Sequence, residues 1–498
     1  MLHHAAEPWI AWFDQATAAF AAGRYAEAAA LFQAAATACP GHPTISFNLA
    51  LALRGAGRSA EALSLFRSLD AARPDHPPTL FQLATMLADL GRPAEAVPVL
   101  ERLVSVRPDH PQAAFTLGNL LMAQNRPCRA ERAFSIAVAL DPASAAGVNN
   151  LGAAIMAQRR PHAATAYYRR AARLAPDCPE YHKNLGASLL MTGRFEEGFR
   201  EYEWRRRQAV WRWNRPFPGA PAWQGGALAG RTILVQFEQG LGDTFQFARY
   251  FALLRAMGAR TLFECQPILT RVLASVPGID RLVAPGEPLS DVDCQASLMS
   301  LPLLCRTTVG TIPGGVPYLR AEPALAAAWR QRLDAGQFNV GIHWHANGPE
   351  RSIPLRRFAG LAAVPGVQLH SLQQGQGLEQ RAALRSEVPF ASEVEAGRLA
   401  PADAFVDEAA LIAGLDLVVC CDSAVAHLAG AMGVPVFLVL PWLADWRWML
   451  DPVATPWYPR TTLFRMGRPD DWEGVMQRIV AAVAPAARSK ARSGGPAA

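Results

Sequence analysis

An acid directly follows a glycine turn in the middle of this chain, where it could take a proton from a substrate. The apolar run 233–237 leads to Gly240 and Gly242, and Asp243 comes next, ahead of a helical pattern. Glycine lets backbone approach a ligand closely, and the first turn of a helix has free N–H groups. A carboxylate at such a strand end can serve as a general base towards a hydroxyl group. We predict that Asp243 is catalytic, with helix capping as the structural alternative.

The same turn is a poor match to a dinucleotide-binding fingerprint. Its third glycine position holds Phe245, whose ring is too large for the close helix–strand contact that the fingerprint needs. Glu264, near the end of the next predicted strand, could still bind a ribose hydroxyl. A dehydrogenase therefore remains an alternative at this turn.

A second polar cluster lies where the apolar strand 417–421 runs into a helix. Asp422 and Ser423 open that helix, Ala424 follows, and His427 lies about one turn further along. A helix N-terminus binds phosphate because of its free N–H groups and the positive end of the helix dipole. We predict a phosphate site here with His427 facing the cleft, and a buried structural histidine is the alternative.

A polar loop after another predicted strand supplies the cation that a phosphate site needs. Arg351 could balance the charge of a diphosphate through two parallel hydrogen bonds. His343 and His345 share one strand face, but the sequence shows no third ligand for a metal. Asp291 and Asp293 form a D-x-D pair inside a strand-like segment and are interpreted as structural. The sequence therefore predicts no metal site.

Two more element ends carry polar groups suited to a nucleotide. Ser371 and Gln373 end the predicted strand 367–372, where amide and backbone groups could recognise a base. Glu408 opens the predicted helix 405–415 and could accept ribose hydroxyls. An acid that is favoured there by the helix dipole is the alternative for Glu408.

These positions belong to a region in which apolar runs alternate with helical patterns. Continuous apolar strands separated by helices indicate a parallel sheet covered on both faces. The strands fall into two groups around residue 336, which predicts two Rossmann-like halves facing a cleft. The runs are 233–237, 261–266, 279–284, 338–344, 367–372, 417–421 and 434–440, and the helical patterns are 244–257, 322–335, 355–364, 405–415, 424–432 and 471–484.

Residues 9–212 repeat with a period of 34 residues. Each unit has a small residue, a ring or leucine four positions later, and in five units a proline that ends the second helix. The three series are Ala28, Ala62, Ala96, Ala130, Ala164 and Gly198; Phe32, Phe66, Leu100, Phe134, Tyr168 and Tyr202; and Pro40, Pro74, Pro108, Pro142 and Pro176. The pattern resembles the tetratricopeptide repeat, a helix–turn–helix unit.

Six such units would stack into an α-solenoid with a groove suited to a peptide, and a scaffold arm without a peptide ligand is the alternative. The charged segment 201–207 closes the sixth unit, and we expect it to dock onto the domain that follows. We predict a repeat domain over 1–212, two Rossmann-like halves over 213–335 and 336–485, and a disordered tail over 486–498.

Composition limits the class of protein. The chain has 498 residues, of which 51% are hydrophobic and 18% charged, and its formal charge is +6. A mild charge without lysine-rich runs is poor evidence for a nucleic-acid partner. The eight cysteines form no C-x-x-C pair, which favours reduced thiols and a cytoplasmic location. We expect neither a signal peptide nor a membrane span.

The second half of the chain, roughly 230–470, resembles GT-B-fold glycosyltransferases of the heptosyltransferase kind, glycosyltransferase family 9. The resemblance is carried by Gly240-x-Gly242-Asp243, Val340-Gly-Ile-x-Trp344, Arg351-Ser-Ile-Pro-Leu355, Ser371-Leu-Gln373 and Asp422-Ser-Ala-x-Ala-His427. It implies that Asp243 is the catalytic base and that Arg351 binds donor phosphate, where heptosyltransferases often use lysine. We assign donor binding to Arg351, Ser352, Ser371, Gln373, Glu408, Asp422, Ser423, Ala424 and His427.

Six repeats followed by such a domain resemble the bacterial flagellin glycosyltransferases. The resemblance implies an inverting, metal-independent transfer from a nucleotide sugar, such as a CMP-nonulosonate, to a protein acceptor such as flagellin. The loop before Arg351 is shorter than is usual in the family, so the donor stays open. The alternatives are a lipopolysaccharide sugar transferase of heptosyl type and a repeat-based adaptor with an inactive transferase domain.

Overall fold

The chain divides into two compact units, Met1–Tyr181 and His182–Ala498. The computed structural model describes residues 8–208, 217–393 and 405–493. Within these ranges no helix is both long and apolar enough to cross a membrane.

The first unit consists of paired helices, two for each 34-residue period, as the repeat pattern predicts. They are α1 (Pro8–Ala21), α2 (Tyr25–Ala38), α3 (Pro43–Gly55), α4 (Ser59–Ala72), α5 (Pro77–Asp89), α6 (Pro93–Val106), α7 (Pro111–Ala123), α8 (Pro127–Leu140), α9 (Ala145–Ala157) and α10 (Pro161–Leu174). Proline begins most of them, since its fixed φ suits the first helical turn and the N–H it lacks is not needed there.

The repeated residues perform the packing roles that their spacing predicts. The alanine of every unit in this array is completely buried, and the ring or leucine four positions later is at most 5% exposed. Small side chains let neighbouring helices approach, and the larger ones fill the space between units. In units four and five Asn125 and Arg159 take the left-handed turn conformation, with φ of 55° and 58°, which glycine provides elsewhere.

Most of the helix pair that forms the sixth repeat belongs to the second unit. This pair is α11 (Pro179–Met191) and α12 (Phe195–Tyr202), and a 3-10 helix, Glu203–Arg207, follows. Phe195, Phe199 and Tyr202 are buried in the same hydrophobic core as the strands of the first sheet. The predicted docking of the sixth unit is therefore confirmed. The compact units divide between Tyr181 and His182, whereas the predicted repeat domain extends to residue 212, and the apolar face of this helix pair is covered by the α/β region.

The rest of the second unit contains two parallel sheets with helices between the strands. The strands are β1 (Thr232–Gln236), β2 (Arg260–Glu264), β3 (Arg281–Val283), β4 (Cys294–Ser297), β5 (Phe338–His343), β6 (Val367–Ser371), β7 (Ser392–Glu393), β8 (Leu417–Cys421), β9 (Val436–Leu440) and β10 (Thr461–Arg465). The helices are α13 (Leu241–Phe247), α14 (Tyr250–Ala256), α15 (Thr270–Leu273), α16 (Leu301–Leu304), α17 (Pro323–Arg332), α18 (Ala359–Ala362), α19 (Glu379–Leu384), α20 (Val406–Ile412), α21 (Ala424–Ala431) and α22 (Trp472–Ser493).

The strand order shows where a ligand should bind. The first sheet has the order β3-β2-β1-β4 and the second the order β10-β9-β8-β5-β6-β7. The direction of winding reverses beside β1 in one sheet and between β5 and β8 in the other. Ligands of open parallel sheets bind at the carboxyl ends of the strands at such reversals. The turns after β1, β5 and β8 are among those that the sequence singles out.

A buried arginine joins the two halves of this α/β region. Arg249, at the junction of α13 and α14, is 2% exposed and donates to the carbonyls of Gln246 at 3.0 Å and Trp457 at 2.8 Å. Its guanidinium also lies about 5 Å from the ring centres of Tyr318 and Tyr458. Trp457 and Tyr458 lie between β9 and β10, so this one side chain connects the first half to the second.

Several elements differ from the sequence prediction. Strands β4, β7 and β10 were not predicted, because they are short or carry polar residues that break the apolar run. Residues 486–493, predicted as part of a disordered tail, are helical, while 494–498 lie outside the described residues. The last turns of α22 are held to the fold because Ala487 is fully buried and Lys490 Nζ lies 2.5 Å from Asp416 Oδ2.

Candidate functional site

A cavity of about 440 Å³ lies between the two sheets, at the carboxyl ends of their strands. It is lined by the turn after β1, the loop after β5, the start of α21 and the loop after β9. Eight of the residues assigned to the site from the sequence line it together: Gly240, Gly242, Asp243, Arg351, Asp422, Ser423, Ala424 and His427.

Asp243 lies in the first turn of α13, which begins at Leu241 and not after the acid as the sequence pattern predicts. Its carboxylate accepts a hydrogen bond of 2.9 Å from the backbone N–H of Gly240. The other oxygen accepts from the guanidinium of Arg447. Burial raises the pKa of the Asp243 carboxyl, against the lowering effect of Arg447 and the Gly240 N–H. The acid is therefore both a link in the helix cap and a polar group of the cavity.

Gly242 allows the two halves to approach each other closely. A Cβ atom at this position would lie 2.9 Å from His427 Cδ2 and 3.5 Å from the Cα of Ala424. No ordinary side chain fits there, which is the physical reason for glycine in the turn. The turn of the first half thus packs directly on the start of α21 in the second half.

His427 is a neutral, firmly oriented imidazole. Burial lowers the pKa of His427 to about 3, and Arg447 and Arg249 act in the same direction. Its Nδ1 shares a hydrogen bond of 2.9 Å with Tyr458 Oη, and its ring stacks on Trp448 with a centroid distance of 5.1 Å. With Nδ1 engaged, Nε2 is the nitrogen that remains for a ligand of the cavity.

The start of α21 has the geometry of an anion site. Ser423 is its N-cap residue, and the Ser423 Oγ lies 3.1 Å from His343 Nδ1. Burial lowers the pKa of His343 to about 3, with His345 contributing in the same direction. The histidine is therefore neutral, and the free N–H groups of the helix provide positive polarity without a formal charge.

Arg351 provides a formal positive charge on the opposite loop. Its side chain is 36% exposed, donates to the carbonyl of Asn347 and lies 3.8 Å from Glu350. Ser352 beside it does not line the cavity. The Ser352 hydroxyl bonds the backbone of Ala346 and Gly348 at 3.1 Å and so fixes the shape of the loop that presents Arg351.

Asp422 adds a second carboxyl to the cavity. Burial raises its pKa to about 6, the charge of Asp445 adds to this, and Arg351 and Arg447 oppose it. A carboxyl with such a pKa is partly protonated near neutral pH, which reduces its repulsion of an anionic ligand.

Two residues of the cavity were not identified from the sequence. Arg447 donates to Asp445 Oδ1 at 2.8 Å and to Asp243, and so bridges the two halves. The bridge forms because a 3-10 helix, Trp446–Trp448, follows β9 and aims the guanidinium towards the turn after β1. The dense run Asp445-Trp-Arg-Trp448 just beyond a strand end was the available signal.

Three other predicted residues in the described part of the chain, besides Ser352, lie outside the cavity lining. Gln373 is 3% exposed and its Oε1 accepts from the backbone N–H of Trp344 and His345, which closes the loop after β5. Ser371 is buried at the end of β6 and accepts from the N–H of Gln373. Glu408 is 4% exposed in the first turn of α20. The structure thus gives Ser371 and Gln373 structural contacts and places Glu408 away from the cavity wall.

Glu408 should make stability depend on pH. Burial raises the pKa of Glu408 to about 7 from its usual 4.5. The folded chain therefore holds this proton through a pH range in which the unfolded chain has lost it, so stability falls as pH rises from about 4.5 to about 7. We expect Glu408→Gln to increase the free energy of unfolding by about 2–3 kcal/mol at pH 8 and by little at pH 4.5.

Urea unfolding at both pH values measures this difference. Glu196→Gln is the matched control, since Glu196 is a glutamate in the first turn of α12 whose side chain is 79% exposed. An equal effect of Glu408→Gln at the two pH values would contradict the assignment.

Metal ligands are not grouped at this site. Among the residues that the structure describes, no three histidine, cysteine, aspartate or glutamate side chains are arranged to hold a metal ion. His343 and His345, the pair that the sequence offers, lie at the end of β5, where His343 contacts Ser423. Asp293 of the D-x-D pair accepts from the N–H of Thr232 at 2.7 Å and so anchors the start of β1.

The repeat region and a segment of the α/β region each match a known protein family. Residues 2–43, 13–77, 81–145, 115–176 and 149–204 match the family described as Tetratricopeptide repeat. Residues 312–439 match Glycosyltransferase family 9 (heptosyltransferase). The chain thus combines tetratricopeptide repeats with a glycosyltransferase family 9 segment. That segment contains all nine residues assigned to donor binding, whereas Asp243, Asp445 and Arg447 lie outside it.

One curated relative and several solved structures are similar to parts of the chain. Protein FlbA of Caulobacter vibrioides (strain ATCC 19089 / CIP 103742 / CB 15) is 28% identical over an alignment of 321 residues, and the match covers 59% of this chain and 53% of FlbA. The chain therefore spans about half the length of this relative.

Two structures align with about a third of the chain. The MamA RS-1 ArsTM double mutant is 23% identical, with a TM-score of 0.32, and covers 34% of this chain and 97% of its own. YrrB, described as a TPR protein with an unusual peptide-binding site, is 21% identical, with a TM-score of 0.32, and covers 34% of this chain and 88% of its own.

Proposed function

We propose that this protein is an inverting, metal-independent glycosyltransferase of GT-B fold that moves a sugar from a nucleotide sugar to a hydroxyl group of a protein. One observation carries the proposal. A single cavity places the carboxylate of Asp243, from the first half, opposite the start of α21 and the Arg351 loop of the second half. A base for the acceptor and positive groups for the leaving phosphate are the two needs of such a reaction.

In the proposed mechanism Asp243 takes the proton from the acceptor hydroxyl as its oxygen attacks the anomeric carbon. The new C–O bond forms on the face opposite the bond to phosphate, which breaks, so the anomeric configuration inverts. The hydrogen bond from Gly240 orients the carboxylate, and burial, which raises the pKa of Asp243, makes it a better proton acceptor than an exposed aspartate.

Negative charge develops on the leaving phosphate oxygen. Arg351, the first residues of α21 and His427 all line the cavity, where they could stabilise that charge. Arg447 adds a second guanidinium beside the base. These groups provide the positive charge that a divalent cation supplies in metal-dependent transferases.

The repeats favour a protein as the acceptor, because stacked tetratricopeptide repeats present an extended surface to polypeptides. Flagellin as acceptor and a CMP-nonulosonate as donor follow from the resemblance to flagellin glycosyltransferases and form the most specific version of the proposal. A cytoplasmic location accords with the cysteines, all eight of which are free thiols.

A lipopolysaccharide heptosyltransferase is the second candidate, because the matched family carries that description. It would use the same base and phosphate groups with a lipid-linked sugar as acceptor. A repeat-based adaptor with an inactive transferase domain is less consistent with the cavity, which keeps Asp243, Arg351 and His427 together.

A nucleotide panel tests the proposal. The purified full chain is heated with CMP, UDP, GDP or ADP, each at about 100 times a plausible dissociation constant, which should stabilise it by roughly 2.7 kcal/mol if it binds. We expect one nucleotide to raise the melting temperature clearly. The matching nucleotide sugar is then offered with protein and with lipid-linked acceptors. No shift with any nucleotide would favour the adaptor, and transfer to the lipid-linked sugar alone would favour the heptosyltransferase.

A further inference from the structure

A buried arginine at the end of the last repeat contacts the acidic turn of the cavity. Arg205, in the 3-10 helix after α12, is 1% exposed. Its Nε and Nη2 donate to the two carboxylate oxygens of Glu238 at 2.7 and 2.8 Å. Its Nη1 donates to the carbonyl of Tyr202 at 3.1 Å and to Glu203 at 2.6 Å. Each guanidinium nitrogen thus has a partner, as a buried charge requires.

Glu238 controls the start of the turn that leads to Asp243. It directly follows Phe237, and its carboxylate also accepts from the hydroxyl of Ser297, at the end of β4. The next residue, Gln239, has a φ of 68°, a backbone conformation that residues other than glycine rarely adopt. Surrounding contacts must hold such a residue in place. The Arg205–Glu238 pair is the charged contact closest to it in sequence.

α12, which precedes this 3-10 helix, supports the other side of the cavity. Phe199 and Tyr202 of α12 pack edge-on against Trp446, with ring centroids 5.8 and 5.6 Å apart. Trp446 lies between Asp445 and Arg447, and the guanidinium of Arg447 lies 4.5 Å from the centre of its ring. α12 and the 3-10 helix that follows it therefore contact, between them, both segments that meet at the Asp243–Arg447 ion pair.

We propose that the sixth repeat is a working part of the transferase site, with Arg205 as a positioning residue for the turn 238–243. In this arrangement α12 and the 3-10 helix hold that turn and the segment 445–447 in the alignment that pairs Asp243 with Arg447. The inference rests on the proposed function only in that these segments carry the proposed base, Asp243, and the guanidinium of Arg447 beside it. The contacts themselves are independent of any substrate.

The consequence for catalysis follows from the distances involved. A general base works only within hydrogen-bond reach of the proton it takes, and small misplacements lower rates strongly. Loss of the Arg205 fork would leave Glu238 as a buried charge without its guanidinium, so the strand end would rearrange. Groups at the start of α21, which do not contact the sixth repeat's arginine, would keep their positions.

Hydrogen exchange followed by mass spectrometry tests the inference on the full chain without any substrate. In Arg205→Met we expect amide exchange in peptides covering 237–244 and 444–449 to rise by at least about tenfold, because local opening controls exchange there. Peptides of β8, α21 and α1–α10 should keep their rates. Phe199→Leu should accelerate exchange in 444–449 more than in 237–244.

Arg271→Met is the matched control. Arg271 pairs with Glu322 at 2.5 Å in the same unit, and neither residue lines the cavity. It should leave both segments unchanged. If Arg205→Met prevents folding, Arg205→Lys, which keeps the charge but loses the fork, should give the same pattern with a smaller amplitude.

Two results would overturn the inference: unchanged exchange in both segments, or an equal acceleration in every peptide of the second unit, which would indicate general destabilisation. Once a donor is known, Arg205→Lys should lower kcat about tenfold and leave the nucleotide dissociation constant within about twofold. A wild-type chain that transfers no sugar would refute the proposed function, whereas the exchange pattern would still decide whether the repeat holds the two segments.

Discussion

Asp243→Asn is expected to lower turnover by about 10²–10⁴, the usual contribution of a positioned general base. Asparagine has nearly the shape of aspartate and can still accept from the Gly240 N–H, so α13 should form. It cannot take a proton at neutral pH, and its amide group would face Arg447 in place of a carboxylate. Single-turnover transfer with saturating donor measures the effect, because it isolates the chemical step from product release.

Asp293→Asn is the matched control for this change. Asp293 is also an aspartate of the first half that accepts from a backbone N–H, that of Thr232, but it does not line the cavity. Its substitution should leave the transfer rate of the folded protein within a factor of two. The same variant tests whether the D-x-D pair binds a metal ion. If it did, both Asp293→Asn and treatment of the wild type with EDTA would abolish activity. Turnover of Asp243→Asn within threefold of wild type would rule out the base assignment.

Arg351→Gln is expected to weaken binding of the donor nucleotide by about 10–100-fold, since hydrogen bonds to charged groups contribute roughly 1.5–3 kcal/mol. The side chain is partly exposed and its loop is held by Ser352, so the substitution should not disturb the fold. The leaving phosphate would lose a formal charge and keep only the helix N-terminus, His427 and Arg447. Titration calorimetry with the nucleotide that stabilises the chain measures the dissociation constant directly.

Arg356→Gln is the control for that substitution. Arg356 lies five residues further along, in the 3-10 helix Leu355–Phe358, where it is exposed and carries the same charge without lining the cavity. Because exposed charges are screened by salt, its loss should change the affinity by less than about threefold. Equal losses in the two variants would mean that the general positive field, and not a contact from Arg351, attracts the nucleotide.

Local strand–turn–helix patterns could be predicted from the sequence, and they identified the turns after β1 and β8 as parts of the cavity wall. Gly240, Asp243 and Ser423 each lie within a few residues of an apolar strand, so their place at a strand end follows from the chain itself. The direction of a side chain does not. Gln373 also follows a strand end, but it turns inward to bond the N–H groups of Trp344 and His345.

Long-range pairs were beyond the reach of sequence patterns. Asp243 and Arg447 are 204 positions apart, and Arg205 and Glu238 are 33 apart, with no shared periodicity that would connect them. The sixth repeat shows the same limit in another way. Its spacing marks it as one more unit of the array, whereas its apolar face, with Phe195 and Phe199, is covered by the α/β region.

Arg249 limits how far the two halves of the α/β region can move apart. Arg249 is 2% exposed, and separating the two halves would break its hydrogen bond to the carbonyl of Trp457 and leave that carbonyl without this donor away from water. We therefore expect any relative motion of the two halves to be smallest around Arg249. We expect the loop around Arg351, which is partly exposed, to move more than the buried residues around His427.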